Sequence, residues 1–212
     1  MKTVKKTFSK NNNEIALVEC GTESIGKTIL IIGVVHGDEY QGKTLIENYL
    51  KTLSNTKNRM LFIPCLNPDG LELKTRANSN DIDINRNFPT KNWVREPFAS
   101  EYFGGESPAS EIETKFVIDV LDEFCPHLIL TLHAPYKVVN YDGPAKEIAE
   151  KISEIINYPV QSDIGYPTPG SFGTYAGIER NIPTITLELD EEIDVNELIS
   201  PINKVFDYLS NL

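Results

Sequence analysis

The chain has few cysteines, few histidines and no long apolar run, and each scarcity excludes something. Its three cysteines, Cys20, Cys65 and Cys125, lie far apart and form no CxxC pair. An odd, scattered set builds no disulfide framework and points to a reducing compartment. The longest apolar stretch, "TILIIGVV", falls far short of the ~20 residues that cross a bilayer. The opening "MKTVKKTFSKNNNEIALVEC" has lysines but no apolar segment behind them, so it does not read as a signal peptide. A cytoplasmic location is the expectation. Basic charge is scarce as well: 20 Lys and Arg against 31 Asp and Glu leave a net charge of −11. Such a surface repels phosphate backbones and anionic membranes, which argues against nucleic acid or membrane as a partner.

What is there suits an α/β fold. The 212 residues show no repeat, low-complexity tract or linker, so one domain over 1–212 is expected. Short β-branched runs alternate with segments of helical period. "IALVEC", "TILIIGVV", "MLFIPCLN", "HLILTLHA", "KVVNY" and "TITLELD" read as strands. Several are apolar throughout, as strands covered on both faces must be. The expected architecture is a mixed, mostly parallel central sheet with helices on both faces. "ASEIETKFVIDVLDEF" places Ile112, Phe116, Val117, Val120, Leu121 and Phe124 on one stripe. Ser110 with Glu113 reads as a capping box at its start, and Pro126 stops it. "GPAKEIAEKISEIINY" aligns Ile148, Ile152, Ile155 and Ile156, and "DVNELISPINKVFDYLSNL" reads as a helix kinked or split before Pro201. Residues 67–105 are polar and aperiodic, and a loop that long inside a compact domain is usually functional.

Polar residues gather at the carboxyl ends of the strands, where open α/β sheets bind ligands. His36 follows "TILIIGVV", Asn67 ends "MLFIPCLN", His133 ends "HLILTLHA" and Glu188 ends "TITLEL". His36, Glu39 and His133 make a His₂Glu set, a donor set suited to catalytic zinc. Taken alone, an HxxE is more often a polar turn, and each histidine can be a simple strand-end residue. His127 has no acidic neighbour and reads as an ordinary strand start. Glu188 is a carboxylate in an otherwise apolar strand, costly unless it faces a cleft or a partner, which makes it the best general-base candidate. Asp190 reads as a solvated strand end. Arg76, Asn85 and Arg86 lie in "TRANSNDIDINRNFP"; guanidinium forks suit carboxylates and oxyanions, yet a solvated loop is the default without the metal set.

Taken in order, "HGDE", "NPDG", "TRANSNDIDINRNFP", "YFGGESPASEIET", "LHAP" and "YPTPGSFGTYAGIERNIPTITLEL" resemble the zinc carboxypeptidases of the carboxypeptidase A type. The resemblance implies one zinc ion on His36, Glu39 and His133, with Glu188 as general base. It implies Arg76 on the scissile carbonyl, Asn85 and Arg86 on the terminal carboxylate, and Asp83 behind the first zinc histidine. Tyr166 matches the mobile family tyrosine that closes over substrate. Digestive members carry an arginine where this chain has Asp38. "HGDE", "LHAP" and "YPTPGSFGTY" are most similar to the murein peptide amidase branch. That branch cleaves the γ-D-glutamyl–meso-diaminopimelate bond of small murein peptides in cytoplasmic cell-wall recycling. A tripeptide, L-Ala-γ-D-Glu-meso-diaminopimelate, is then the expected partner, and Asp38 is a substrate-binding candidate for its far ammonium.

Three other readings stand beside this one. The first is an N-acyl amino acid deacylase of the aspartoacylase or succinylglutamate desuccinylase type, which shares the zinc set and the Asn-Arg pair. The second is a general C-terminal carboxypeptidase, or a D,L-carboxypeptidase acting on cell-wall peptides. The third is a zinc-stabilised module that holds muropeptides without cutting them.

Overall fold

The computed structural model describes residues 1–20, 26–53, 56–97 and 99–212. Its strands are β1 Lys2–Phe8, β2 Glu14–Cys20, β3 Thr28–Ile32, β4 Arg59–Ile63, β5 Leu128–His133, β6 Val138–Asp142, β7 Val160–Gln161 and β8 Thr184–Glu188. The helices are α1 Gln41–Thr52, α2 Pro68–Leu73, α3 Ile112–Phe124, α4 Lys146–Ile156 and α5 Val195–Ser210. All eight strands join one sheet in the order β1-β2-β4-β3-β5-β8-β6-β7. The centre, β4-β3-β5-β8, is parallel; β1–β2, β2–β4 and β6–β8 pair antiparallel, and β7 runs parallel to β6. The expected mixed α/β sheet with helices on both faces is what the chain forms.

The path of the chain decides where a ligand can sit. From β3 it passes through α1 to β4 on one side, then through α3 to β5 on the other side of β3. The strand order therefore reverses between β3 and β5, and a crevice opens there at the carboxyl ends of the strands. One sheet face carries Ile31, Phe62, Leu130, Leu132, Ile185 and Leu187, packed against α1, α4 and α5. The opposite face packs Leu30, Ile32, Leu61, Ile63 and Ile129 against Phe116, Val117, Val120 and Leu121 of α3. That second face changes character beyond β5. There Thr131 and His133, then Thr184, Thr186 and Glu188 of β8, and Asn140 and Asp142 of β6, alternate with apolar neighbours that point the other way. The strand "TITLEL" is thus two-sided, with a polar face, and not apolar throughout as its hydrophobic content suggests.

Several local expectations are corrected. β3 ends at Ile32 and β4 at Ile63, so Asn67 does not end a strand. It caps α2 instead, accepting the Gly70 N–H at 2.9 Å, with Pro68 in the first helical position. The capping box at Ser110 does not form. Glu111 is the N-cap, and the Ser110 hydroxyl is engaged with Glu111 and with the Asn87 amide. α5 is not split: it runs through Pro201 because Ile202, Val205, Phe206 and Leu209 are all buried against the sheet. Asp190 is not a free solvated acid, since its carboxylate pairs with Lys137 at 2.8 Å. The 67–105 stretch holds α2 and two 3-10 turns, Ile84–Arg86 and Ser100–Tyr102. His127 starts β5 as expected, its Nδ1 accepting the Thr28 N–H at 3.0 Å.

Phe206 sits at the centre of the α5 face, fully buried, with ring centroids 5.0 Å from Tyr49 and 6.3 Å from Phe62. Removing such a ring leaves a cavity as well as losing burial. Phe206→Ala should cost about 3–5 kcal/mol in denaturant unfolding with an unchanged slope. A loss below about 1 kcal/mol would mean that this face is not the packed core.

Candidate metal centre and cleft

The loop after β3 is held in an unusual backbone conformation. Val34 has φ of 51°, a left-handed angle that a β-branched side chain rarely adopts. Its neighbours hold it there, with the Leu66 and Asn67 N–H groups donating to the carbonyls of Gly33 and Val34. Gly37 then crosses α2 so closely that a Cβ on it would lie 2.0 Å from the Gly70 carbonyl carbon. Between these two constraints His36 is turned inward, 3% exposed. Glu39, just before α1, turns back toward it.

His36, Glu39 and His133 converge. His36 Nδ1 lies 2.7 Å from Glu39 Oε1, and His133 Nδ1 lies 2.9 Å from Glu39 Oε2. The two Nδ1 atoms are 3.2 Å apart. Tetrahedral ligands at about 2.1 Å from a metal stand about 3.4 Å from one another, so the three groups need spread only by a few tenths of an ångström to surround an ion. Two imidazole nitrogens and a carboxylate facing one point form the only such group among the described residues. The donor chemistry fits zinc.

Behind the set lies Asp83, buried and multiply bonded. It faces His36 Nε2 at 3.2 Å, accepts from Arg76 Nε at 3.0 Å and caps the Asn85 N–H at 2.8 Å. Burial alone would raise the Asp83 pKa, but His36 and Arg76 outweigh it and hold the carboxyl well below its usual range. Burial would likewise lower His36, yet Glu39 and Asp83 push it up to about 9. Burial opposes ionisation of Glu39 too, and the two histidines keep it charged.

A cleft of about 340 Å³ opens over the set. His133 and Glu188 are register partners on β5 and β8, which puts Glu188 beside the candidate metal-binding set. Glu188 is 6% exposed, and its Oε2 has no hydrogen-bond partner among the described residues. Burial raises its pKa. Arg86 is 3% exposed, its Nε also lacks a partner, and no carboxylate among the described residues lies within ion-pair distance of it. Asn85 Oδ1 accepts the Phe172 N–H at 2.9 Å, which orients the amide, and its NH₂ has no acceptor among the described residues. Arg76 and Tyr166 also line the cleft, while Asp38 lies exposed on its rim.

Sequence reasoning missed two groups here. Tyr102 puts its ring 5.3 Å from the Arg76 guanidinium and 5.1 Å from that of Arg86, within cation–π range of both. It stood in the motif "YFGGESP" without a role. Asn140 and Asp142 were signalled by the alternation of "VNYD" at the end of β6. Their place in the cleft depends on the distant segment Gly173–Glu179, a π-helical turn that packs beside β6.

Comparisons with known proteins identify the family and the fold. A family model for zinc carboxypeptidases matches residues 1–164. Murein peptide amidase A of Escherichia coli (strain K12) is 33% identical over 170 residues, covering 75% of this chain and 69% of that protein. Its counterpart from Vibrio campbellii is also 33% identical, over 172 residues, covering 76% and 68% of the two chains. The solved structure of murein-tripeptide amidase from Escherichia coli O157 superposes with a TM-score of 0.84 at 26% identity, over 97% of this chain and 90% of that one.

The Gly37–Gly70 crossing gives a direct test of how tightly the loop is held. Gly37→Ala should destabilise the protein by about 1–3 kcal/mol in equilibrium unfolding, as overpacking does. Unchanged stability would show that the crossing yields without strain.

Proposed function

The chain belongs to the zinc carboxypeptidase family and is a metallopeptidase; from that premise we propose that it hydrolyses the γ-D-glutamyl–meso-diaminopimelate amide bond of a small murein peptide. One observation carries the reading. Among the described residues, a single cleft holds a buried guanidinium with no carboxylate at ion-pair distance, Arg86, and a buried carboxylate with one oxygen, Oε2 of Glu188, that has no hydrogen-bond partner. Unpaired buried charges are costly, and a substrate that ends in a carboxylate beside a scissile amide supplies both missing partners.

His36, Glu39 and His133 hold the metal. Zinc bound there supplies a Lewis acid and lowers the pKa of water toward about 7. The chain's own groups do the rest. Asn85 Nδ2 and Arg86 bind the terminal carboxylate of the diaminopimelate and fix the register of the peptide. Arg76, anchored by Asp83, presents a guanidinium to the carbonyl oxygen as negative charge develops on it. Glu188 takes the proton released by the attacking water. It then delivers that proton to the nitrogen of the departing amine. Its burial favours this exchange, because a carboxylate with a raised pKa binds the proton more readily between the two steps. Tyr166 closes the open side of the cleft over the bound peptide. The homologous amidases support the murein peptide as substrate.

The test is product analysis by mass spectrometry after incubation with L-Ala-γ-D-Glu-meso-diaminopimelate. Free diaminopimelate should appear, and a metal chelator should suppress it. Glu188→Gln should lower kcat by at least about 10³ while leaving zinc bound, since only the proton relay is lost. Release of acyl groups from N-acyl amino acids, with the murein tripeptide untouched, would overturn the assignment. Near-native turnover by Glu188→Gln would overturn the base.

A further inference from the structure

Arg76 and Arg86 come from separate turns, and one aromatic ring lies against both. Tyr102 ends the 3-10 turn Ser100–Tyr102. The residues after it are pinned to the turn that carries Asp83 and Arg86. The Phe103 carbonyl accepts the Asp83 N–H at 2.8 Å, and the Gly104 carbonyl accepts the Asn87 amide at 2.7 Å. Gly104 passes so close to Arg86 that a Cβ on it would lie 2.2 Å from the Arg86 carbonyl oxygen. With the backbone fixed in this way, the centroid of the Tyr102 ring stands 5.3 Å from the Arg76 guanidinium carbon and 5.1 Å from that of Arg86. The ring also meets Tyr166, with centroids 6.1 Å apart. All four side chains line the cleft.

Two like charges held near one centroid repel each other. Asp83 holds Arg76 at 3.0 Å. Among the described residues Arg86 has no carboxylate at ion-pair distance, and its Nη1 donates to the Asn85 carbonyl at 2.8 Å. A further acid between the two guanidiniums would offset the repulsion, but it would also compete with the carboxylate of a substrate. The face of an aromatic ring carries partial negative charge, so it attracts both cations without occupying their N–H donors. Spacing matters as well. The carboxylate that Arg86 grips and the carbonyl that Arg76 meets are only an amide nitrogen and an α-carbon apart in the peptide. We propose that Tyr102 is a positioning residue: the face of its ring holds Arg76 and Arg86 at the spacing that lets one C-terminal residue engage both. This inference rests on the roles of the two arginines in the amidase reading above, and it adds a residue that acts through them.

The experiment varies the charge on the ring while keeping its shape. Phenylalanine and its ring-difluorinated and ring-trifluorinated analogues are placed at position 102 by nonsense suppression, and Tyr102→Leu removes the ring. The substrate is L-Ala-γ-D-Glu-meso-diaminopimelate. Tyr102→Phe should keep kcat/KM within about threefold of wild type, because only a hydroxyl is lost. Fluorine draws charge from the ring face, so kcat/KM should fall stepwise along the series, by about tenfold at the trifluorinated ring, the scale of two exposed cation–π contacts. Tyr102→Leu should fall at least as far. KM should rise as kcat falls, since one arginine binds the ground state and the other the charge that develops later. Bound zinc should not change, because the ring is not among the metal donors. A flat fluorine series in an active enzyme overturns the inference alone, since shape and not charge would then matter. So does a Tyr102→Phe as impaired as Tyr102→Leu, which would assign the effect to the hydroxyl, or a loss of zinc along the series. A wild type that leaves the tripeptide intact sinks the amidase reading, and the inference with it.

Discussion

The buried carboxylate of Asp83 is the constraint on which the rest of the site depends. One oxygen faces His36 Nε2 and caps the Asn85 N–H, and the other takes the Arg76 guanidinium. The side chains of His36 and Arg76 and the backbone of Asn85 are thereby referred to one group. A carboxylate on the far nitrogen of an imidazole fixes its tautomer and leaves the near nitrogen, here Nδ1, free to ligate. The same charge holds Arg76 toward the cleft and starts the 3-10 turn that carries Asn85 and Arg86. A charge this deep persists only because each oxygen is satisfied, so the network stands or fails as a unit.

The sheet explains why this network has a cleft to serve. A face that was apolar to its edge would be sealed by a helix. Here α3 covers the β4-β3-β5 half, while the β8-β6 half is polar and remains open. The reversal of strand order between β3 and β5 delivers His36 and His133 to the boundary between the two halves. Glu188 follows from register, because it is the neighbour of His133 on the next strand. Position in the sheet thus places His133 and the buried acid side by side, and the loop after β3 brings His36 and Glu39 to them.

The central strands were legible in the sequence because burial on both faces leaves an apolar run, as in "HLILTLHA". The His₂Glu set was legible because its members stand at strand ends. Other parts were hidden for physical reasons. β1 is an edge strand whose Lys2 and Lys6 face water and whose Lys5 pairs with Glu123 of α3, so its composition imitates a polar tail. α1 has Gly42 in its first turn and no side-chain cap, which obscures the spacing of Leu45, Ile46 and Tyr49. The Ser110 capping box was a true local pattern overridden by a tertiary contact with Asn87. The alternation of "VNYD" signals a polar face at Asn140 and Asp142, but the segment that closes over Asp142, at Gly173 and Gly177, is distant in sequence.

The central claim is that Asp83 organises metal and substrate groups together. Asp83→Asn keeps the shape and removes the charge, so it separates that claim from simple packing. Zinc affinity by chelator competition, with kcat/KM measured at saturating zinc, is the direct measurement. Zinc affinity should fall about 10–100-fold, and kcat/KM should stay below wild type even when zinc is restored, because Arg76 has lost its anchor. Zinc affinity within about twofold of wild type, with full kcat/KM, would contradict the account.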